Sequence, residues 1–337
     1  MVGLYGDPSV SWSILLEARL REAVDPAAVR TRLTAAVATH PHLGLAPAVR
    51  VVPAADWHAV RTEFADRRYA DSEPLIRVAT GDDVLLLAAH HGVVDGFGLL
   101  ALLGLALDVP VVSSATGIGD RPAARTFASS AANRLMEALF AAPSRAASSQ
   151  TTRLDGDAIA VARMLATPAG TAALTSAAAR AVRTWNHRYG VPTSRVVAAV
   201  GASRRPGTRL HPDRRTAFLR LRVPPGASAE TVRRLLDHTP PEPDFPPSQG
   251  ALARNAIRAL SSRLGATFLV SNLGVVTTSE LVRSVAFQPA ASGRSGIAVG
   301  AVTCGEITTV TVRARRTSFD DAAARQLLEL IVASLES

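Results

Sequence analysis

The 337-residue chain contains no lysine: all 37 basic residues are arginine, against 28 acidic ones, for a formal net charge of +9. There is one cysteine, Cys304, which excludes an internal disulfide and any multi-cysteine zinc or iron–sulfur cluster. Aromatic residues are only 4%, and no stretch interleaves them with arginine as a single-strand nucleic-acid binder would, so no nucleic-acid partner is expected. Charged residues, at 19%, fall below the usual quarter while apolar ones reach 47%, which excludes a disordered chain. The opening residues, Met1 to Pro8, lack a basic stretch followed by an apolar one, so no secretory signal is expected and the expected location is cytoplasmic.

The arginine-only set has two readings. Codon bias in a high-GC genome produces it, and the abundance of alanine points the same way. A surface for phosphate or carboxylate also uses arginine, through its planar fork. A coenzyme A or phosphopantetheine arm, or an acidic carrier protein, would meet those electrostatics.

The length suits two units of roughly 150–170 residues. Residues 12–20 read as a strand, and Asp25-Pro26 as the cap and first residue of a helix closed by His40-Pro41-His42-Leu43. Residues 49–52 read as a strand and 55–65 as a helix. Residues 74–80 and 84–89 form a hairpin around Gly81-Asp82-Asp83. The longest apolar run, Val84 to Val112, is long enough to cross a bilayer, but His90, His91 and Asp95 interrupt it; a buried strand, loop and helix are expected, not a membrane span. A helix over 128–142 leads to a small, polar linker, 146–153. In the second half, helices are expected over 157–165, 171–189, 229–237, 255–264 and 320–335. Strands are expected over 195–200, 216–223, 266–270, 296–303 and 306–313, with a Ser271-Asn272-Leu273-Gly274 turn after the third. Helices and strands mix in both halves and the strands include hairpins, so the expected class is α+β.

The chemistry concentrates at His90-His91-Gly92-Val93-Val94-Asp95-Gly96, where two histidines end an apolar strand before a helix. A rigid strand holding a loop is where catalytic groups tend to sit, and His91 titrates near neutrality, as a general base requires. A histidine at a strand end is also commonly a satisfied core side chain. A metal site of His90, His91 and Asp95 is disfavoured, because adjacent strand residues point to opposite faces. Cys304, in an expected strand, reads as a small buried hydrophobe. His187 and His211 read as solvated. Arg204-Arg205-Pro206 and Arg214-Arg215 read as solvated runs or as contacts for a phosphate or a carrier-protein helix.

The spacing His90-His91-x-x-x-Asp95-Gly96 resembles the HHxxxDG motif of the chloramphenicol-acetyltransferase-like superfamily. That superfamily contains peptide-synthetase condensation domains, wax ester synthases and polyketide-associated acyltransferases. The segments His40-Pro41-His42-Leu43, Pro74 to Val78, and Phe268 to Gly274 are similar to their counterparts in the same enzymes, so the resemblance spans nearly the whole chain. It implies two α+β lobes in a V, residues 1–145 carrying the motif and 146–337 carrying the Ser-Asn-Leu-Gly turn, with the active-site channel between them. It implies acyl transfer from an acyl-CoA or carrier-protein thioester to a hydroxyl or amine on a small-molecule acceptor, in natural-product or lipid biosynthesis, with no metal or redox cofactor. His91 becomes the general base, Asp95 a residue paired with an arginine (Arg77 is a candidate), and Gly96 an N–H donor to the oxyanion. His90, Ser271 and Asn272 become substrate-lining residues. A cyclase or other tailoring enzyme, and a non-catalytic domain that binds a carrier protein, are the competing readings.

Overall fold

In the computed structural model, which describes residues 10–70, 72–150, 153–165, 169–243 and 265–336, helices and strands alternate irregularly along both halves. The N-terminal half forms β1 (Ser13–Leu20), α1 (Pro26–Thr39), β2 (Val49–Val51), α2 (Trp57–Asp66), β3 (Ile76–Thr80), β4 (Val84–His90), α3 (Gly96–Leu107), β5 (Val112–Ser113) and α4 (Phe127–Phe140). The C-terminal half forms β6 (Asp157–Leu165), α5 (Thr171–Arg188), β7 (Val196–Ser203), β8 (Thr216–Val223), α6 (Ala229–His238), β9 (Phe268–Thr277), β10 (Val282–Gln288), β11 (Ile297–Cys304), β12 (Ile307–Arg315) and α7 (Asp321–Glu336).

Local chemistry explains much of this. Asp25 caps α1 by accepting the N–H groups of Ala27 and Ala28 at 2.9 and 3.2 Å, and Pro26 occupies the first helical position, where no N–H is needed. The β3–β4 pair is antiparallel around Gly81, as its turn signal implies. The long apolar run becomes β4, buried along its whole length, followed by a loop and the buried helix α3. No helix among the described residues is long and apolar enough to cross a membrane.

The first sheet has the order β10-β1-β4-β3-β2, and the second β6-β12-β11-β9-β7-β8, with β5 paired to β9. Both are mixed: β2–β3, β9–β11 and β7–β9 run parallel and the rest antiparallel. Leucines and valines of α1 and α3 close one face of the first sheet, and α2 covers the other through Trp57, Val60 and Phe64. Helices α5, α6 and α7 bury one face of the second sheet, around Trp185, Phe268 and Phe319. The class is α+β.

The structure departs from the sequence reading at several points. Residues 157–165, expected as a helix, are β6: alanine, methionine and leucine favour a helix, but all nine residues find antiparallel partners on β12. The expected turn at Ser271-Asn272-Leu273-Gly274 lies inside a continuous β9, whose register with β11 slips once; Gly274, at φ +72°, absorbs the irregularity. Strand β10 has no counterpart in the sequence reading, yet it forms the edge of the first sheet beside β1. With β5 joining the second sheet, each sheet takes a strand from across position 145. The expected linker is docked, with Ala146 N–H on Ser295 Oγ, Ala147 N–H on Asn186 Oδ1, and Trp185 Nε1 on the Ala147 carbonyl. The expected helix over 255–264 lies outside the described residues.

Candidate active site

Strand pairing fixes the motif before any side chain acts. Ser13 of β1 lies opposite His90, the last residue of β4, and His91 N–H donates to the carbonyl of Trp12 at 2.8 Å. Trp12 sits at φ 55°, a conformation that typically costs a non-glycine residue on the order of 1–3 kcal/mol and is over-represented beside functional sites.

The two histidines part company as adjacent strand residues must. His90 is 1% exposed; its Nδ1 accepts the Gly92 N–H at 3.0 Å and its ring stands edge-on to Tyr69 at 5.5 Å. Tyr69 in turn shares a 3.2 Å hydrogen bond with Ser13 Oγ. His90 therefore braces the turn from inside the protein, which corrects its expected place among substrate-lining residues.

His91 is half-buried on the other side. Its Nδ1 lies 3.2 Å from the Val94 carbonyl, which can only accept, so Nδ1 carries the proton and Nε2 keeps its lone pair. Burial pulls its pKa below the ordinary 6.5; Arg214 acts in the same direction, while the Val94 hydrogen bond and Asp95 oppose. The ring is thus held neutral in one tautomer.

Asp95 caps α3 and is 1% exposed. Its Oδ1 accepts Gly98 N–H at 2.9 Å, and its Oδ2 accepts Arg205 Nη1, Arg215 N–H and Thr216 Oγ1, each at 2.8 Å. Burial pushes this carboxyl up, but the Arg205 pair and the backbone donors together outweigh it and hold the pKa below the usual carboxylate value. Arg205 is also bound to Asp213, at 2.5 Å from its carboxylate and 2.7 Å from its carbonyl. Next to it, His42 Nε2 donates to the Pro212 carbonyl at 2.8 Å.

Arg77 is not the partner of Asp95: it donates to the carbonyls of Arg67 and Arg68 at 2.5 and 2.6 Å and stacks on Tyr69. Arg205, expected as a surface or phosphate-contacting residue, takes that place from 110 positions away in sequence. The available signal was a buried helix cap that requires a cation in a chain without lysine.

Gly96 opens α3 where a side chain has no room: a Cβ there would lie 2.6 Å from Leu273 Cδ2 and 2.9 Å from Phe287 Cζ. The close approach ties the motif to β9 and β10. On β9, Ser271 is half-buried beside Gly201, where a Cβ would stand 3.5 Å from its Oγ. Asn272 is spent internally: its Nδ2 donates to Ala169 O at 2.7 Å and its Oδ1 accepts Gly274 N–H at 2.9 Å. Those two bonds brace the β9 irregularity and fix the half-buried side chain in place. Burial pushes the Cys304 thiol up, so it is held as the neutral thiol within the core. Among the described residues no group of three or more His, Cys, Asp and Glu is placed to hold a metal ion.

No protein-family model and no curated protein matches the sequence. Solved structures do match the fold. The first condensation domain of the calcium-dependent antibiotic synthetase, in complex with a substrate analogue, superposes with a TM-score of 0.61 at 16% identity, over 97% of this chain and 92% of that one. The starter condensation domain of rhizomide synthetase RzmA, in complex with C8-CoA, gives 0.60 at 15% identity over 99% and 92%. The epimerization domain from the third module of tyrocidine synthetase B gives 0.52 at 14% identity over 97% and 92%. The chain has the condensation-domain-like fold.

Proposed function

We propose that this protein moves an acyl group from a thioester, on coenzyme A or on an acyl or peptidyl carrier protein, to a hydroxyl or amine acceptor, forming an ester or amide. The observation that carries the reading is His91: a half-buried imidazole, fixed by the Val94 carbonyl in the tautomer whose Nε2 can take a proton, and kept neutral by burial. The fold adds support, since one solved neighbour is in complex with C8-CoA and another with a substrate analogue.

In this reading Nε2 removes the acceptor's proton as the acceptor attacks the thioester carbonyl. The tetrahedral oxyanion lies against the N-terminus of α3, where the Gly96 N–H has no intrahelical acceptor. Collapse expels the thiolate, and the imidazolium returns the proton to it. Asp95 is no charge relay, because its oxygens already take four donors; it holds the loop and the helix in place. Ser271 is assigned to the wall of the acceptor site.

A panel of acyl-CoA and acyl-carrier-protein donors, with pooled alcohols and amines, tests this by thiol release. Acceptor-dependent release is expected, with His91→Ala slower by about 10²–10⁴-fold. The acid limb of the rate should have its midpoint below pH 6.5, since the base is lost only when the depressed imidazole protonates. Full activity in the variant would remove His91 from the chemistry. Turnover of a single substrate without any thioester would favour a cyclase.

A further inference from the structure

A cavity of about 380 Å³ opens between α4, the start of β7 and the middle of β8, with residues 239–243 forming its remaining wall. Five arginines line it, Arg125, Arg134, Arg195, Arg220 and Arg222, against two carboxylates, Glu137 and Glu242. Glu137 gathers three of the arginines, with Arg195 at 2.6 Å, Arg220 at 2.7 Å and Arg134 at 3.3 Å. Glu242 pairs with Arg134 and accepts Ser130 Oγ at 3.2 Å. The carboxylates thus orient three of the guanidinium groups and offset two of the five positive charges, leaving a net of three. Arg195 Nε is buried without an acceptor, and the exposed side chains of Arg125 and Arg222 make no ion pair among the described residues. Five positive charges against two, presented as forked donors on an open cavity, are the chemistry of a multiply charged phosphate site.

The position matters as much as the charge. Arg195 and Val197 line the cavity, so strand alternation puts Ala199 and Gly201 on the same face, while Val196, Ala198 and Val200 enter the core on the other. Arg222 and Arg220 lie opposite Val197 and Ala199 in the ladder. At its far end the strand delivers Arg205, which holds Asp95 beside the motif. The eight residues of β7 cover about 26 Å at roughly 3.3 Å each, so the strand runs from the cavity to the segment that carries Arg205. Ala199 and Gly201, both half-buried, leave that face low between the two ends.

We propose that the arginine cavity binds the phosphate-bearing end of a coenzyme A thioester, its diphosphate and 3′-phosphate, which makes the soluble coenzyme the acyl donor. The inference rests on the acyl-transfer reading above. A carrier-bound arm brings one phosphodiester charge, too few to match the cavity's net of three positive charges.

Calorimetric titration with adenosine 3′,5′-bisphosphate, which has no thiol and cannot react, reads the cavity apart from catalysis. Coenzyme A, dephospho-coenzyme A and inorganic phosphate complete the series. Arg125→Ala/Arg222→Ala alters two exposed side chains outside the ion-pair network, and an unchanged melting temperature would certify its fold. The bisphosphate and coenzyme A should bind wild type in a salt-sensitive way, dephospho-coenzyme A and phosphate more weakly, and the double variant about 10- to 100-fold less tightly. No binding of the bisphosphate, or equal binding by wild type and variant, overturns the site. Transfer from carrier-bound thioesters but not from coenzyme A thioesters overturns the donor assignment and leaves acyl transfer standing. Arginine-dependent binding together with full turnover by His91→Ala would instead break the role given to His91 and keep the phosphate site.

Discussion

Two buried carboxylate–arginine clusters join the N-terminal half of the chain to the C-terminal half, and they settle their charge in opposite ways. At the motif, one carboxylate, Asp95, receives four donors, including Arg205. Near the end of α2, two carboxylates lie beside one fully buried guanidinium: Arg313 Nε binds Asp157 at 2.6 Å and its Nη atoms reach the carbonyls of Ser13 and Ala65, while Asp66 accepts the Asp157 N–H at 2.9 Å. Burial, then the Asp157 charge, raise Asp66 from 3.8 to about 6. Burial acts upward on both carboxyls, so the supply of donors decides which titrates above its ordinary value and which below.

The largest effect should come from Asp95→Ala. It removes the α3 cap and leaves Arg205, 5% exposed, short of a counter-charge, at an expected cost of about 3–5 kcal/mol in denaturant unfolding. Near-wild-type stability would show that Asp213 alone satisfies Arg205. Thr216→Val subtracts one donor and keeps the shape; it should cost about 1.5 kcal/mol, and a neutral result would mean the remaining three donors suffice. Asp66→Asn should act mainly on the pH profile. In wild type the raised pKa means that Asp66 adds stability fully present below 3.8 and lost as pH rises through about 6. Melting temperatures across that window should therefore fall in wild type and flatten in the variant. Asp95, with its lowered pKa, works in the other direction and loses its contribution only on acidification below its ordinary value. Parallel slopes for wild type and Asp66→Asn would remove the second cluster from the comparison.

The sites that sequence reasoning found are those where one short segment carries its own instructions. The apolar run before His90, the Asp-Gly that opens α3 and the Asp25-Pro26 cap are all set by neighbours a few residues apart. Its errors fall where the partner is remote. The bond from the Asn272 amide to Ala169 was not legible because only the fold brings them together. His90 looked available because Tyr69, which covers it, lies on a separate segment. The helix expected over 157–165 failed for the same reason, since its composition could not announce a nine-residue pairing with β12.

What the sequence by itself determined is thus the α+β alternation and the position of the HHxxxDG segment at a strand–helix junction, because hydrophobic period and capping act within a turn or two. Tertiary structure decided which histidine faces inward, which arginine holds Asp95, and that β10 completes the first sheet. Those outcomes depend on burial and on charges paired across 110 residues and more, where only the packed fold sets the dielectric and the distances.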